Sequence, residues 1–422
     1  MINREKYLKE IALFQDKDVI KVITGVRRCG KSTILDLTKE HLRSQGVASE
    51  RLISFKMESM EFDSVQNYRD LYTLISGRLK GVYKPYLFLD ELQEVEGWEK
   101  AVNALRVDFD CDIYITGSNA FLLSSEIATL LSGRYVEIPM LPLTFAEYLL
   151  FRGISWQSGA SAGFDKTGQP ILLDDVLEQY KINGGFPFLS FSVPSREEHR
   201  LYMKSLYDTV LVRDILQRTR RKGRRNLADS RLLECTCRFL ADNIGNETSL
   251  NGMATALRTD FEGIANETVG AYTNALQEAY LFHHVNRYDL KGKELLKTNG
   301  KNYIVDLGIR SYLEGYRNAD SGRALENIVY LQLLFDGWDV AIGKLRAGEI
   351  DFVANKDERT VFIQVAEDMR SEETQERELK PLKAVKSAFP KVVIVRTGDY
   401  PTDYDGIRVI RLVDFLLHNK EL

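Results

Sequence analysis

Gly25-Val26-Arg27-Arg28-Cys29-Gly30-Lys31-Ser32 lies between the apolar run VIKVIT (19–24) and the helical pattern STILDLTKEHL (32–42). These eight residues fit GxxxxGK[ST], a phosphate-binding loop set between a strand and a helix. Glycines let such a loop curl so that its N–H groups face an anion. The helix that follows presents its positive end to the same anion. The expectation is an ATP site lined by Gly25, Val26, Arg27, Arg28, Cys29, Gly30, Lys31, Ser32 and Thr33. Lys31 would reach the β- and γ-phosphates and Ser32 would coordinate Mg²⁺. Arg27 and Arg28 either contact nucleotide or face solvent.

Working outward, LISFKM (52–57), YLFLDE (86–91), DIYITGS (112–118) and RYVEIPM (134–140) are further apolar runs separated by helical segments. That alternation predicts an α/β domain with a buried parallel sheet. YLFLDEL ends in Asp90-Glu91, about 60 residues past the loop, so both strand ends would open at one sheet edge. Asp90 would hold Mg²⁺ through water, and Glu91 would polarise the attacking water. ITGSNA (115–120) sets Ser118 and Asn119 at the end of another strand, where Asn119 would orient water against the γ-phosphate.

The chain has 422 residues, 57 basic and 61 acidic, for a net charge of −4. This excludes a uniformly basic nucleic-acid binder but not a local basic patch. No apolar run is long enough to span a bilayer, and MINREKYLKE lacks a signal-peptide core. Four cysteines without CxxC pairs read as reduced thiols in a cytoplasmic protein. We expect three domains: 1–152, the ATP-binding domain; 171–317, helical with a winged-helix order; and 318–422, a smaller α/β domain. Residues 153–170, rich in Gly and Ser, read as an exposed loop or insertion. In the middle region, helical patterns at 246–257 and 266–282 precede two strands, HHVNRYD and KNYIVD, around LKGKEL. Helix, helix, β-wing is the winged-helix order. His283 and His284 alternate faces of the first of these strands, which argues against one shared metal.

With these segments in view, the chain resembles bacterial and archaeal AAA-type ATPases that carry a C-terminal domain of unknown function. The resemblance runs over nearly the whole chain, through GVRRCGKST, YLFLDELQEVEGWE, ITGSNA, LLSGRYVEIPMLPLTFAEYL, NGGFPF, LYDTVLVRDILQR, YLFHHVNRYDLKGK, KNYIVDLGIR, LENIVYLQLLFDGWDV, GEIDFVA and FIQVA. It implies an AAA-type architecture more than a purpose, with Asn119 at the sensor-one position; from the site residues the leading expectation is an ATPase or ATP-driven switch. It also draws attention to Arg134 in LSGRY, whose guanidinium would meet the γ-phosphate of its own subunit or of a neighbour in a homo-oligomer.

Glu326, Glu349, Asp351 and Gln364 resemble the PD-(D/E)xK nuclease arrangement, in a restriction-endonuclease-like C-terminal domain. Such a site binds Mg²⁺ through carboxylates on adjacent strands. Here Gln364 stands where an acid is expected and Ala366 where a lysine is expected. Gln is a poorer Mg²⁺ ligand, so the expectation is a degenerate site used for binding or docking, with a metal-dependent nuclease as the alternative. RTRRKGRR (218–225) supplies Arg218, Arg220, Arg221, Lys222, Arg224 and Arg225 without an acid. This run suits salt-dependent contact with DNA phosphates. An acidic protein partner competes equally, and no membrane is expected.

Overall fold

The computed structural model describes residues 2–118, 131, 133–210, 215–216, 229–290, 292, 294–316, 321–345, 348–418 and 422. Asn119 and the basic run Arg218, Arg220, Arg221, Lys222, Arg224 and Arg225 lie outside the described residues. The chain divides into two compact units. Unit 1 is Met1–Met140 with Glu278–Tyr280; unit 2 is Leu141–Gln277 with Leu281–Leu422.

Unit 1 is built on five strands, β1 (Ile20–Thr24), β2 (Leu52–Lys56), β3 (Tyr86–Asp90), β4 (Asp112–Gly117) and β5 (Tyr135–Pro139). They form one sheet in the order β2-β3-β4-β1-β5, and every pairing is parallel. β1, β3 and β4 are buried along their whole length, which explains their unbroken apolar runs: both faces are covered. On one face Val22, Leu87, Leu89, Ile113 and Ile115 pack with residues of α3 (Tyr68–Leu79) and α4 (Trp98–Asp108). Each fully buried aliphatic side chain there contributes about 2 kcal/mol. α1 (Glu5–Ala12) and α2 (Lys31–Ser44) complete the unit. The α/β expectation holds, and all five strands fall within a residue or two of the apolar runs.

In unit 2, Thr144 and Glu147 form a capping box that starts the helix Phe145–Arg152. The stretch expected as an exposed loop or insertion carries a small antiparallel sheet, β6 (Ser155–Trp156), β7 (Ala162–Phe164) and β8 (Pro170–Leu172). A Cβ on Gly163 would lie 2.7 Å from the Ser155 carbonyl oxygen, so the glycine that reads as flexible is there for close strand approach. The helices Ser230–Asp242, Leu250–Leu257 and Asn266–Glu278 follow, with β9 (Glu247–Thr248) between the first two.

β10 (Phe282–Asp289) and β11 (Glu294–Ile304) form the expected hairpin, and β11 pairs with β9. The remaining strands are β12 (Asp339–Leu345), β13 (Gly348–Lys356), β14 (Arg359–Ala366), β15 (Lys391–Val395), β16 (Asp403–Tyr404) and β17 (Ile407–Arg411). All belong to one nine-stranded sheet, β16-β17-β15-β14-β13-β12-β10-β11-β9. β10 pairs in parallel with β12, so strands from either side of residue 317 share one ladder. Turn residues mark where a strand ends, but not which edge it joins.

Two segments of the family pattern meet in this unit. Asp306 caps the helix Leu307–Leu313 through the Gly308 N–H at 2.8 Å and also accepts the Gly185 N–H at 2.6 Å. A Cβ on Gly184 would strike the Asp306 carboxylate at 1.9 Å, which is why NGGFPF and VDLG each need their small residues.

Candidate functional site

The phosphate-type loop leaves the C-terminal end of β1. Gly25 and Gly30 have φ of +140° and +107°, and Arg28 is also left-handed at +66°. A Cβ on Gly25 would fall 2.1 Å from the Met140 carbonyl oxygen. Gly30 is the N-cap of α2 and offers no capping side chain, and the first turn of α2 holds no acid. The orphan N–H groups at that end therefore remain open to an anion.

Val26 and Cys29 are fully buried and anchor the loop from beneath. Burial pushes the Cys29 thiol up, so it packs rather than reacts. Arg27 pairs with Glu58 at 2.5 Å, while Arg28, Ser32 and Thr33 are exposed. Lys31 is buried inside the curl, where its Nζ donates to the carbonyls of Gly25 at 3.0 Å and Val26 at 3.1 Å.

The acidic pair closes on the same edge. Ser32 Oγ donates to Asp90 Oδ1 at 3.0 Å, and Thr116 Oγ1 donates to the same oxygen at 2.5 Å. Glu91 stands 3.9 Å from Lys31 Nζ. Its Oε2 accepts Ser118 Oγ at 3.2 Å and the Gln93 amide, and its N–H donates to Thr116 Oγ1 at 3.1 Å. Both acids are 8% exposed. Lys31, Ser32, Asp90 and Glu91 are thus brought together as the spacing predicts.

Three contributors were missed: Thr116, Gln93 and Arg4, whose Nη1 donates to the Cys29 carbonyl at 3.2 Å. Thr116 carries a readable signal. Leu89 pairs with Ile115, so the next rung sets Asp90 beside Thr116.

Arg134 lies away from the loop of its own subunit. It precedes β5, and its carbonyl accepts the N–H of Ile20, the first residue of β1. The loop follows Thr24 at the other end, about 13 Å along the strand at roughly 3.3 Å per residue. Arg134 instead bonds Asn103 at 2.7 Å. The parallel register thus sets Arg134 at the opposite end of the sheet from the loop.

In unit 2, Glu326 lies on the helix Ser321–Phe335, Glu349 and Asp351 on β13, and Gln364 on β14. Lys301 of β11 joins them, with Nζ 3.0 Å from Glu326 and 2.5 Å from Glu349. The Tyr303 hydroxyl donates to Glu326 at 2.5 Å. Ala366 is buried in the apolar cluster with Val353 and Leu379.

Residues 17–149 match an AAA domain, and residues 174–320 match a domain of unknown function (DUF8612). An uncharacterized protein of Haemophilus influenzae is 40% identical over 420 residues, covering 99% of each chain. The chain belongs to this family of AAA-domain proteins. An uncharacterized protein of Methanocaldococcus jannaschii, MJ1544, is 30% identical over 396 residues, covering 92% of this chain and 82% of that one. The Walker-type ATPase paby2304 of Pyrococcus abyssi is similar with a TM-score of 0.48 and 12% identity, over 74% of this chain and 96% of that one. The AAA domain supplies the loop and both acids of the site. Among the described residues, no helix is long and apolar enough to cross a membrane.

Proposed function

We propose that the protein binds ATP with Mg²⁺ and hydrolyses it, using the AAA domain as a switch on a macromolecular partner. The observation that carries this reading is the convergence of Lys31, Ser32, Asp90 and Glu91 at the N-terminus of α2. The loop carbonyls hold the Lys31 ammonium where it would meet a bound phosphate. The Ser32 hydroxyl and Asp90 carboxylate offer hard oxygen donors that suit Mg²⁺. When bound, that ion neutralises phosphate charge and orients the β- and γ-oxygens. Glu91 is oriented by Ser118 and Gln93 to take a proton from water.

Measured ATP binding and turnover test this assignment. Lys31→Ala should abolish nucleotide binding. Glu91→Gln should bind ATP yet turn it over at least 100-fold more slowly. Undiminished ATP affinity in the first variant, or wild-type turnover in the second, overturns it.

Duplex DNA is the partner we favour. RTRRKGRR supports it from the sequence alone. The helix–strand–helix–helix–hairpin order of residues 230–304 supports a winged-helix reading. Turnover stimulated by duplex DNA, with stimulation falling steeply as salt rises, is the expected result. Turnover indifferent to DNA would instead favour an acidic protein partner.

A further inference from the structure

A nuclease-like centre of this layout calls for a divalent ion held by acids on a helix and two adjacent strands. The residues present do not fit one. Gln364 is neutral and stands opposite Asp351 in the antiparallel ladder, one rung beyond the Phe352–Ile363 pair. Ala366 replaces the lysine and is buried among apolar neighbours. The decisive feature is Lys301, whose side chain is 6% exposed. Its ammonium lies within hydrogen-bond reach of Glu326 and Glu349, whose side chains are 12% and 31% exposed. The ammonium already occupies one oxygen of each of these carboxylates, and it is attached to the chain.

We infer that Lys301 is the resident cation of this centre, an internal clasp that ties β11 to the helix Ser321–Phe335 and to β13 in place of a divalent ion. The surroundings are shaped for it. Tyr303, two residues on along β11, donates to the same Glu326 oxygen that receives Lys301. A Cβ on Gly245 would press within 3.2 Å of the other Glu326 oxygen. Asp351 is held through the Val365 N–H at 2.8 Å.

Three carboxylates against one ammonium leave an excess of negative charge, which burial opposes. Burial raises Asp351 well above the usual carboxylate range, with Glu326 adding to the rise, and it raises Glu326 against the pull of Lys301. Burial lowers Lys301, but Glu326, Asp351 and Glu349 outweigh it and hold the ammonium charged. The centre therefore joins the hairpin to the C-terminal strands, and the nuclease reading loses its metal position.

Two measurements on the full chain test this. In isothermal titration with MnCl₂ alone, wild type and Asp351→Asn should give the same heats. Mn²⁺ binding in wild type that Asp351→Asn removes overturns the inference. In thermal unfolding, Lys301→Met should melt roughly 10 °C below wild type, because it strands buried acids without their cation. The triple variant Lys301→Met/Glu326→Gln/Glu349→Gln, which removes the cation with its partners, should recover at least half of that loss. Lys301→Met melting with wild type, or no recovery in the triple variant, overturns the inference even where the single variant is too unstable to purify.

Discussion

Glu91 carries its carboxylate on a left-handed backbone, φ +54°, which costs a non-glycine residue roughly 1 kcal/mol or more. The hydrogen bonds that its carboxylate accepts from Ser118 and Gln93, and the one its N–H donates to Thr116, hold it in that conformation and aim the acid at the site edge. His283 shows the opposite arrangement, a titratable ring whose Nε2 has no hydrogen-bond partner among the described residues. That nitrogen is buried, the ring lies against Tyr330, and burial lowers its pKa to about 4. In the unfolded chain the same ring titrates near 6.5. Between those values the unfolded state binds a proton that the folded state refuses. The resulting stability is therefore complete above about pH 6.5 and is lost as pH falls toward 4. Urea unfolding should show wild type losing about 2 kcal/mol more than His283→Phe between pH 7 and pH 5. Parallel losses in the two proteins would remove His283 from the acid sensitivity.

The loop between β1 and α2 shows how an element is specified by what cannot be there. Gly25→Ala would drive a Cβ into the Met140 carbonyl and force a strained φ, so the loop must shift. A strain of about 2 kcal/mol predicts at least tenfold weaker nucleotide binding with the fold retained. Fluorescent-nucleotide titration beside circular dichroism checks both parts. The loop, Asp90 and Glu91 were legible in the sequence because their spacing along one chain segment carries the chemistry. Gln93 was not: it stands two residues after Glu91, but no spacing rule marks an amide there. Nor were Thr116 and Arg4, because one acts across the sheet and the other from the N-terminal segment, and lateral register leaves little trace in a linear pattern. The same limit hid Lys301. A lysine expected two residues after an acid on β14 is absent, while one on β11 meets Glu326 only because β10–β11 adds to the C-terminal sheet. The β6–β8 sheet was hidden differently: its strands are two or three residues long, too short to show a period.

At the scale of the whole molecule, the parallel register decides what one copy can do alone. Lys31, Ser32, Asp90, Glu91 and Thr116 sit at or just past the C-terminal ends of β1, β3 and β4, whereas Arg134 enters at the opposite end of β5. A guanidinium there would serve phosphoryl charge in the site of a second copy, which makes a homo-oligomer the testable form of that reading. Mixing variants separates the cases. Lys31→Ala retains Arg134 but lacks a working loop, and Arg134→Ala retains the loop but lacks the guanidinium. If Arg134 acts between copies, each variant alone should turn over ATP at least 100-fold more slowly than wild type, in line with the loss of an arginine finger. An equal mixture should then regain a substantial fraction of wild-type turnover, because intact loops meet intact arginines at some of the interfaces. Wild-type turnover by Arg134→Ala alone would confine Arg134 to its bond with Asn103. A mixture no more active than its parts would show that it serves no neighbouring site.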